Sequence, residues 1–125
     1  MAKNKPRILV IEDNQDILQL YSIILSSRNY EVLGKENSAN ADAVIKEFSP
    51  SVIILDMLLS GLSGLDICRQ LKNDPATSHI PVIMVSAHSS GKEKCMEAGA
   101  DFYVAKPFEM VEFLSTIARA ADQGD

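Results

Sequence analysis

The chain predicts one α/β domain of the (βα)5 kind, built on a doubly wound, five-stranded parallel sheet. Short apolar runs alternate with segments of helical period. The runs do not alternate apolar with polar residues, the mark of strands covered on both faces of a parallel sheet. The 125 residues are enough for a single core and leave no room for a second folded unit.

The elements follow in order. Ile8-Leu9-Val10-Ile11 reads as the first strand. Asn14 to Ser27 places Ile17, Leu20, Tyr21, Ile24 and Leu25 at helical spacing. Tyr30 to Leu33 is weaker and flanked by polar residues, which suits an edge strand. Ala39 to Phe48 carries Ala41, Val44, Ile45 and Phe48 on one helical face. Val52-Ile53-Ile54-Leu55 is the third strand, and Gly64 to Leu71 a helix with Leu65, Cys68 and Leu71 inward. Asp74-Pro75 reads as a turn. Val82-Ile83-Met84-Val85 is the fourth strand. Gly91 to Ala98 is a short helix capped by Gly99. Phe102-Tyr103-Val104-Ala105 is the fifth strand. Phe108 to Ala121 closes the fold, with Val111, Leu114, Ile117, Ala118 and Ala121 forming its apolar face. The core runs from about residue 6 to 121, and the tail Asp122-Gln123-Gly124-Asp125 is expected to fray.

Composition excludes several classes. Hydrophobic residues make up 46% of the chain, as in ordinary globular proteins. No apolar run approaches the roughly 20 residues that cross a bilayer. The basic start, Met1-Ala2-Lys3-Asn4-Lys5-Pro6, precedes too short an apolar stretch for a secretory leader, so a cytoplasmic location is expected. The net charge of −5 and the lack of a basic stripe argue against direct nucleic-acid binding. Cys68 and Cys95 lack metal-ligand spacing and read as small, partly buried hydrophobes. His79, in a loop before Ile80-Pro81, is assigned no role.

The chemistry lies in how the strands end. The first ends at Glu12-Asp13, the third at Asp56, the fourth at Ser86 and the fifth at Lys106. In a parallel sheet these ends share one edge, where ligands of open α/β sheets bind. Three crowded carboxylates repel one another, and a hard divalent cation relieves the repulsion. Mg²⁺ prefers a few carboxylate oxygens, a carbonyl and waters. Asp13 and Asp56 are then candidate direct ligands, with Glu12 acting through water and the Leu58 backbone carbonyl as a further ligand. Asp56, on the middle strand, is ionised at neutral pH and can attack phosphorus without a general base. Mg²⁺ and the Lys106 ammonium would offset charge on the phosphoryl oxygens, and the Ser86 hydroxyl could donate to a third. The set suits an aspartyl phosphate.

These residues and their neighbours resemble the receiver domains of two-component response regulators. The motifs are Ile11-Glu12-Asp13-Asn14, Leu55-Asp56-Met57 with Gly61 and Gly64 downstream, Val85-Ser86-Ala87, and Ala98-Gly99-Ala100-Asp101 leading to Lys106-Pro107-Phe108. The resemblance runs from about Pro6 to Ala121. It implies the flavodoxin-like strand order 2-1-3-4-5. It implies Asp56 as phosphoacceptor, Glu12 and Asp13 as the acidic pair for Mg²⁺, Ser86 as the switch hydroxyl and Lys106 as the phosphate-contacting lysine. Tyr103 matches the aromatic that turns inward with the switch, and Lys106-Pro107 matches a peptide bond that is typically cis.

The sequence departs from that pattern at Ser60 and Ser63, where proline and aspartate are common. The segment from Ser86 to Lys106 is shorter than usual, with Gly91 where the fourth helix should begin. Leu58 and His88, each two residues past a site residue, are expected to flank attacking water and to tune phosphoryl lifetime.

The resemblance implies a sensor histidine kinase or histidine phosphotransfer protein as donor. Output passes to a separate partner, to an effector domain absent from this chain, or through a homodimer. Two rivals are an interaction module that is never phosphorylated and an enzyme or cofactor carrier on the same fold. The intact Asp56, Asp13, Ser86 and Lys106 set opposes the first. The acidic Asp13-Asn14-Gln15-Asp16 would repel a flavin phosphate, and Glu12-Asp13-Asn14 lacks the D-x-D of aspartate-nucleophile phosphatases.

Overall fold

The computed structural model describes residues 5–37, 39–59, 62–87 and 90–124. Five strands form the sheet: β1 Arg7–Ile11, β2 Glu31–Lys35, β3 Val52–Asp56, β4 Val82–Ser86 and β5 Phe102–Ala105. Five helices connect and cover them: α1 Gln15–Ser27, α2 Ala41–Phe48, α3 Gly64–Asn73, α4 Gly91–Glu97 and α5 Met110–Gly124. The strand order is β2-β1-β3-β4-β5 and every pairing is parallel. This is the flavodoxin-like order the motifs imply. A two-residue antiparallel ladder, Leu58–Leu59 with Leu62–Ser63, follows β3 where sequence reasoning expects only loop.

Alternate side chains of β1, β3, β4 and β5 enter two core layers, because strand side chains switch faces at every residue. Leu9, Ile11, Ile53 and Leu55 pack with Ile45 of α2, Ile67 and Leu71 of α3 and Cys95 of α4. Ile8, Val10, Ile54 and Val85 pack with Tyr21 and Leu25 of α1 and with Phe113 and Ile117 of α5. β2 is the edge, and no residue of it is fully buried.

Two helix faces differ from the periodicity reading. In α1, Leu20 is 55% exposed, and Leu18 packs on the core in its place. In α5, Val111 is 78% exposed, while Phe113, Ile117, Ala120 and Ala121 are buried. Both helices offer enough apolar residues for two overlapping faces. The bulkiest ring, Phe113, decides the second by stacking 4.4 Å from Phe108. Residues 122–124, expected to fray, continue α5 instead, carried by the helix-forming Ala118, Ala120 and Ala121. Gly99 takes φ +100 after α4, and its N–H and that of Ala100 bond back to Met96 and Cys95 carbonyls, a glycine C-cap.

Among the described residues, no helix is long and apolar enough to cross a membrane. Both cysteines are buried and free.

Candidate functional site

Register brings Asp56, Ser86 and Lys106 to one edge. Asp56 lies opposite Val85, one residue before Ser86. Ser86 lies opposite Ala105, one residue before Lys106. Hydrogen bonding runs past the strand ends, with the Met57 N–H donating to the Val85 carbonyl at 2.9 Å and the Lys106 N–H to the Ser86 carbonyl at 2.8 Å. The Tyr103 hydroxyl donates to that same Ser86 carbonyl at 3.2 Å. The Ser86 carbonyl thus fixes Ser86, Tyr103 and Lys106 relative to each other. The Lys106–Pro107 peptide is cis.

The ammonium of Lys106 reaches across the edge. Its Nζ lies 2.5 Å from Asp56 Oδ2 and 3.7 Å from Glu12 Oε1. Such a lysine serves as a compact point charge for clustered oxygens. Glu12 is only 3% exposed. Its Oε2 accepts from the Asn14 N–H at 3.1 Å, the residue that also caps α1 through its side-chain oxygen on the Ile17 N–H. Its Oε1 is buried without a hydrogen-bond partner. Burial lifts the Glu12 pKa above 4.5; the Asn14 N–H opposes the shift, Asp13 and Asp56 add to it, and Lys106 partly offsets them.

A small hard cation fits this chemistry. An orphaned buried carboxylate oxygen beside two further carboxylates is a site short of positive charge. Among the described residues, no group of three or more aspartate, glutamate, histidine or cysteine side chains is arranged to hold a metal by itself.

Two glycines shape the site in ways periodicity does not reveal. A Cβ on Gly64 would stand 1.9 Å from the Asp56 carbonyl oxygen. The chain therefore packs directly under the acidic residue, held by the Gly64 N–H on the Met57 carbonyl at 2.8 Å. A Cβ on Gly91 would stand 2.7 Å from Ser86 Oγ. Gly64 appears in the motif after Asp56, whereas Gly91 appears in the sequence only as a departure. His88, Ser60, Gly61 and the side chain of Leu58 lie outside the described residues. The Leu58 backbone follows β3 in the short ladder.

Comparison with known proteins agrees with the fold. The sequence profile of the response regulator receiver domain matches residues 8–118. The chain is 38% identical over 123 residues to the phosphate regulon transcriptional regulatory protein PhoB of Pseudomonas aeruginosa, covering 94% of this chain and 54% of that protein. It spans about half the length of such regulators. The signal receiver domain of a signal transduction histidine kinase from Syntrophus aciditrophicus superposes with a TM-score of 0.85 at 28% identity, over 94% of this chain and 90% of that one. The receiver domain of a sensor histidine kinase from Pseudomonas aeruginosa PAO1, solved with magnesium coordinated in its active site cleft, gives 0.84 at 25% identity, over 94% and 98%. With sheet order and profile in agreement, the chain belongs to the response regulator receiver domain family.

Proposed function

We propose that the chain is a phosphorylation switch in which Asp56 accepts a phosphoryl group from the phosphohistidine of a sensor histidine kinase or a histidine phosphotransfer protein. An Asp56 carboxylate oxygen forms the new O–P bond as the N–P bond breaks, and the departing imidazole takes up a proton. The observation that carries this reading is the Lys106–Asp56 ion pair at 2.5 Å, formed between residues 50 apart in sequence at the rim where Glu12 is buried.

Each residue has a part. Asp56 is the nucleophile. Lys106, already on Asp56 Oδ2, neutralises charge on the transferred oxygens. Ser86 donates to another of those oxygens, and Tyr103 follows Ser86. Asp13 and Asp56 directly, Glu12 through water and the Leu58 carbonyl would hold Mg²⁺. The bound ion supplies charge neutralisation of the transferring phosphoryl group. The dianion then biases a pre-existing balance of two surface conformations. The same residues assist later hydrolysis, with Leu58 and His88 tuning its rate. The domain is otherwise a signalling acceptor that turns over no separate substrate. Output goes to a partner, to an effector domain joined to this one, or to a second copy. The reading places the chain in the cytoplasm, where Cys68 and Cys95 stay reduced.

Incubation with Mg²⁺ and a small phosphodonor, followed by intact mass, tests the proposal. The wild type should gain one phosphoryl group, and Asp56→Asn or omission of Mg²⁺ should prevent it. Equal labelling of Asp56→Asn would overturn it.

A further inference from the structure

We propose that Gly91 is a positioning residue of the switch: its missing side chain leaves the space in which the Ser86 side chain and the Tyr103 hydroxyl meet. The inference rests on the reading of Ser86 and Tyr103 as the moving pair. It adds the residue that lets them share one place.

Backbone conformation does not require glycine here. Gly91 opens α4, and among the described glycines the left-handed one is Gly99. Helix propensity argues the other way, since alanine is the better helix former. What glycine supplies is volume. A Cβ at residue 91 would lie 2.7 Å from Ser86 Oγ, 2.8 Å from Tyr103 Oη and 2.9 Å from Ser86 Cβ. All three are well inside ordinary van der Waals contact.

The neighbours cannot all yield. Oγ can change rotamer, but Ser86 Cβ sits on a fully buried strand whose carbonyl is tied to the Lys106 N–H. Tyr103 is rigid beyond its χ angles, and its hydroxyl is held by that same carbonyl. By contrast, a Cβ on Gly34 would meet only the tip of the Leu18 side chain, which can move aside. A methyl at 91 must therefore press the start of α4 away from Ser86 Cβ and drive the Tyr103 ring from the pocket. The hydroxyl then loses the Ser86 carbonyl, and the link from Ser86 to the β5 surface is cut. The start of α4 lies this close to the end of β4, and glycine is the residue that tolerates it.

The test compares wild type, Gly91→Ala, Tyr103→Ala and the double variant. One readout is the set of NMR contacts between the Tyr103 ring and residues 86 and 91. The other is affinity for beryllofluoride with Mg²⁺, a stable mimic of the phosphoryl group. Gly91→Ala should lose the ring contacts and weaken beryllofluoride binding by about 5-fold or more, a coupling-sized effect. In the Tyr103→Ala background the same change should cost clearly less, because the two substitutions act on one contact. Retained ring contacts in Gly91→Ala, or an equal loss of affinity in both backgrounds, would overturn the proposal. Should Gly91→Ala fail to fold, the double variant decides: recovery of folding supports the collision with Tyr103, and failure assigns Gly91 to stability alone. Absence of beryllofluoride binding by the wild type would instead sink the phosphorylation reading, while the ring contacts still decide the role of Gly91.

Discussion

Lys106 sits at the balance point of the charged rim. Its side chain is 26% exposed, against 12% for Asp56 and 4% for Glu12, so its pairing lies between the exposed and buried limits. Lys106→Met keeps the aliphatic stem and removes the charge, leaving two carboxylates facing each other. Without metal at neutral pH it should destabilise the fold by about 1–2 kcal/mol in urea unfolding, between the surface and buried cases. Glu12 gives a second test. Its folded pKa is raised, chiefly by burial. Between 4.5, its ordinary value, and that raised value the native state holds more protons than the unfolded chain. Stability in EDTA should therefore fall as pH rises through this window. Glu12→Gln, which has no proton to lose, should flatten that slope in denaturant titrations at successive pH values; an unchanged slope would exclude Glu12 as its source.

At the level of elements, α5 offers the sharpest contrast between pattern and packing. Val111→Ser should leave stability within about 0.5 kcal/mol, as surface changes do. Phe113→Ala should cost about 3–5 kcal/mol by opening a cavity against Tyr21 and Phe108. Equal effects in thermal unfolding would mean that the helix is rotated. The strands were legible because four of them must be covered on both faces, which leaves a continuous apolar run no loop would carry. The helices were legible as segments but less so as faces: Val111 and Phe113 are both apolar and two apart, and only the aromatic stack chooses between them. The ladder after Asp56 was hidden because two residues a side are too short for any period to appear. Glu12, Asp13, Asp56, Ser86 and Lys106 could be grouped because strand ends in a parallel sheet share an edge. The spacing of Ser86 from Gly91 could not, since it depends on how near α4 starts to β4.

Across the whole molecule, the two thiols report on the sealing of one core layer. Cys68 and Cys95 lie in the same cluster, and burial pushes each thiol from 9.0 up to about 11. The unfolded chain loses these protons first as pH rises. Stability should then be intact below pH 9 and decline between about 9 and 11, by less in the Cys68→Ala, Cys95→Ala double variant once its own loss of packing is subtracted. Alkylation at neutral pH should be slow in the native protein and fast in urea, since thiolate and access are both lacking; rapid native labelling would show that the layer opens. The opposite layer holds a different sensor. The chain has no tryptophan and three tyrosines. Tyr21 is buried against Phe113, and its phenol is held protonated first by burial and then by the negative charge of Glu12 and Asp56. A chromophore that feels those two carboxylates should change its ultraviolet absorption and emission whenever their charge is altered. The tyrosine spectrum is thus expected to serve as an unlabelled optical gauge of the rim, readable in a cuvette while ions or phosphodonors are added; a spectrum unmoved by them would exclude it.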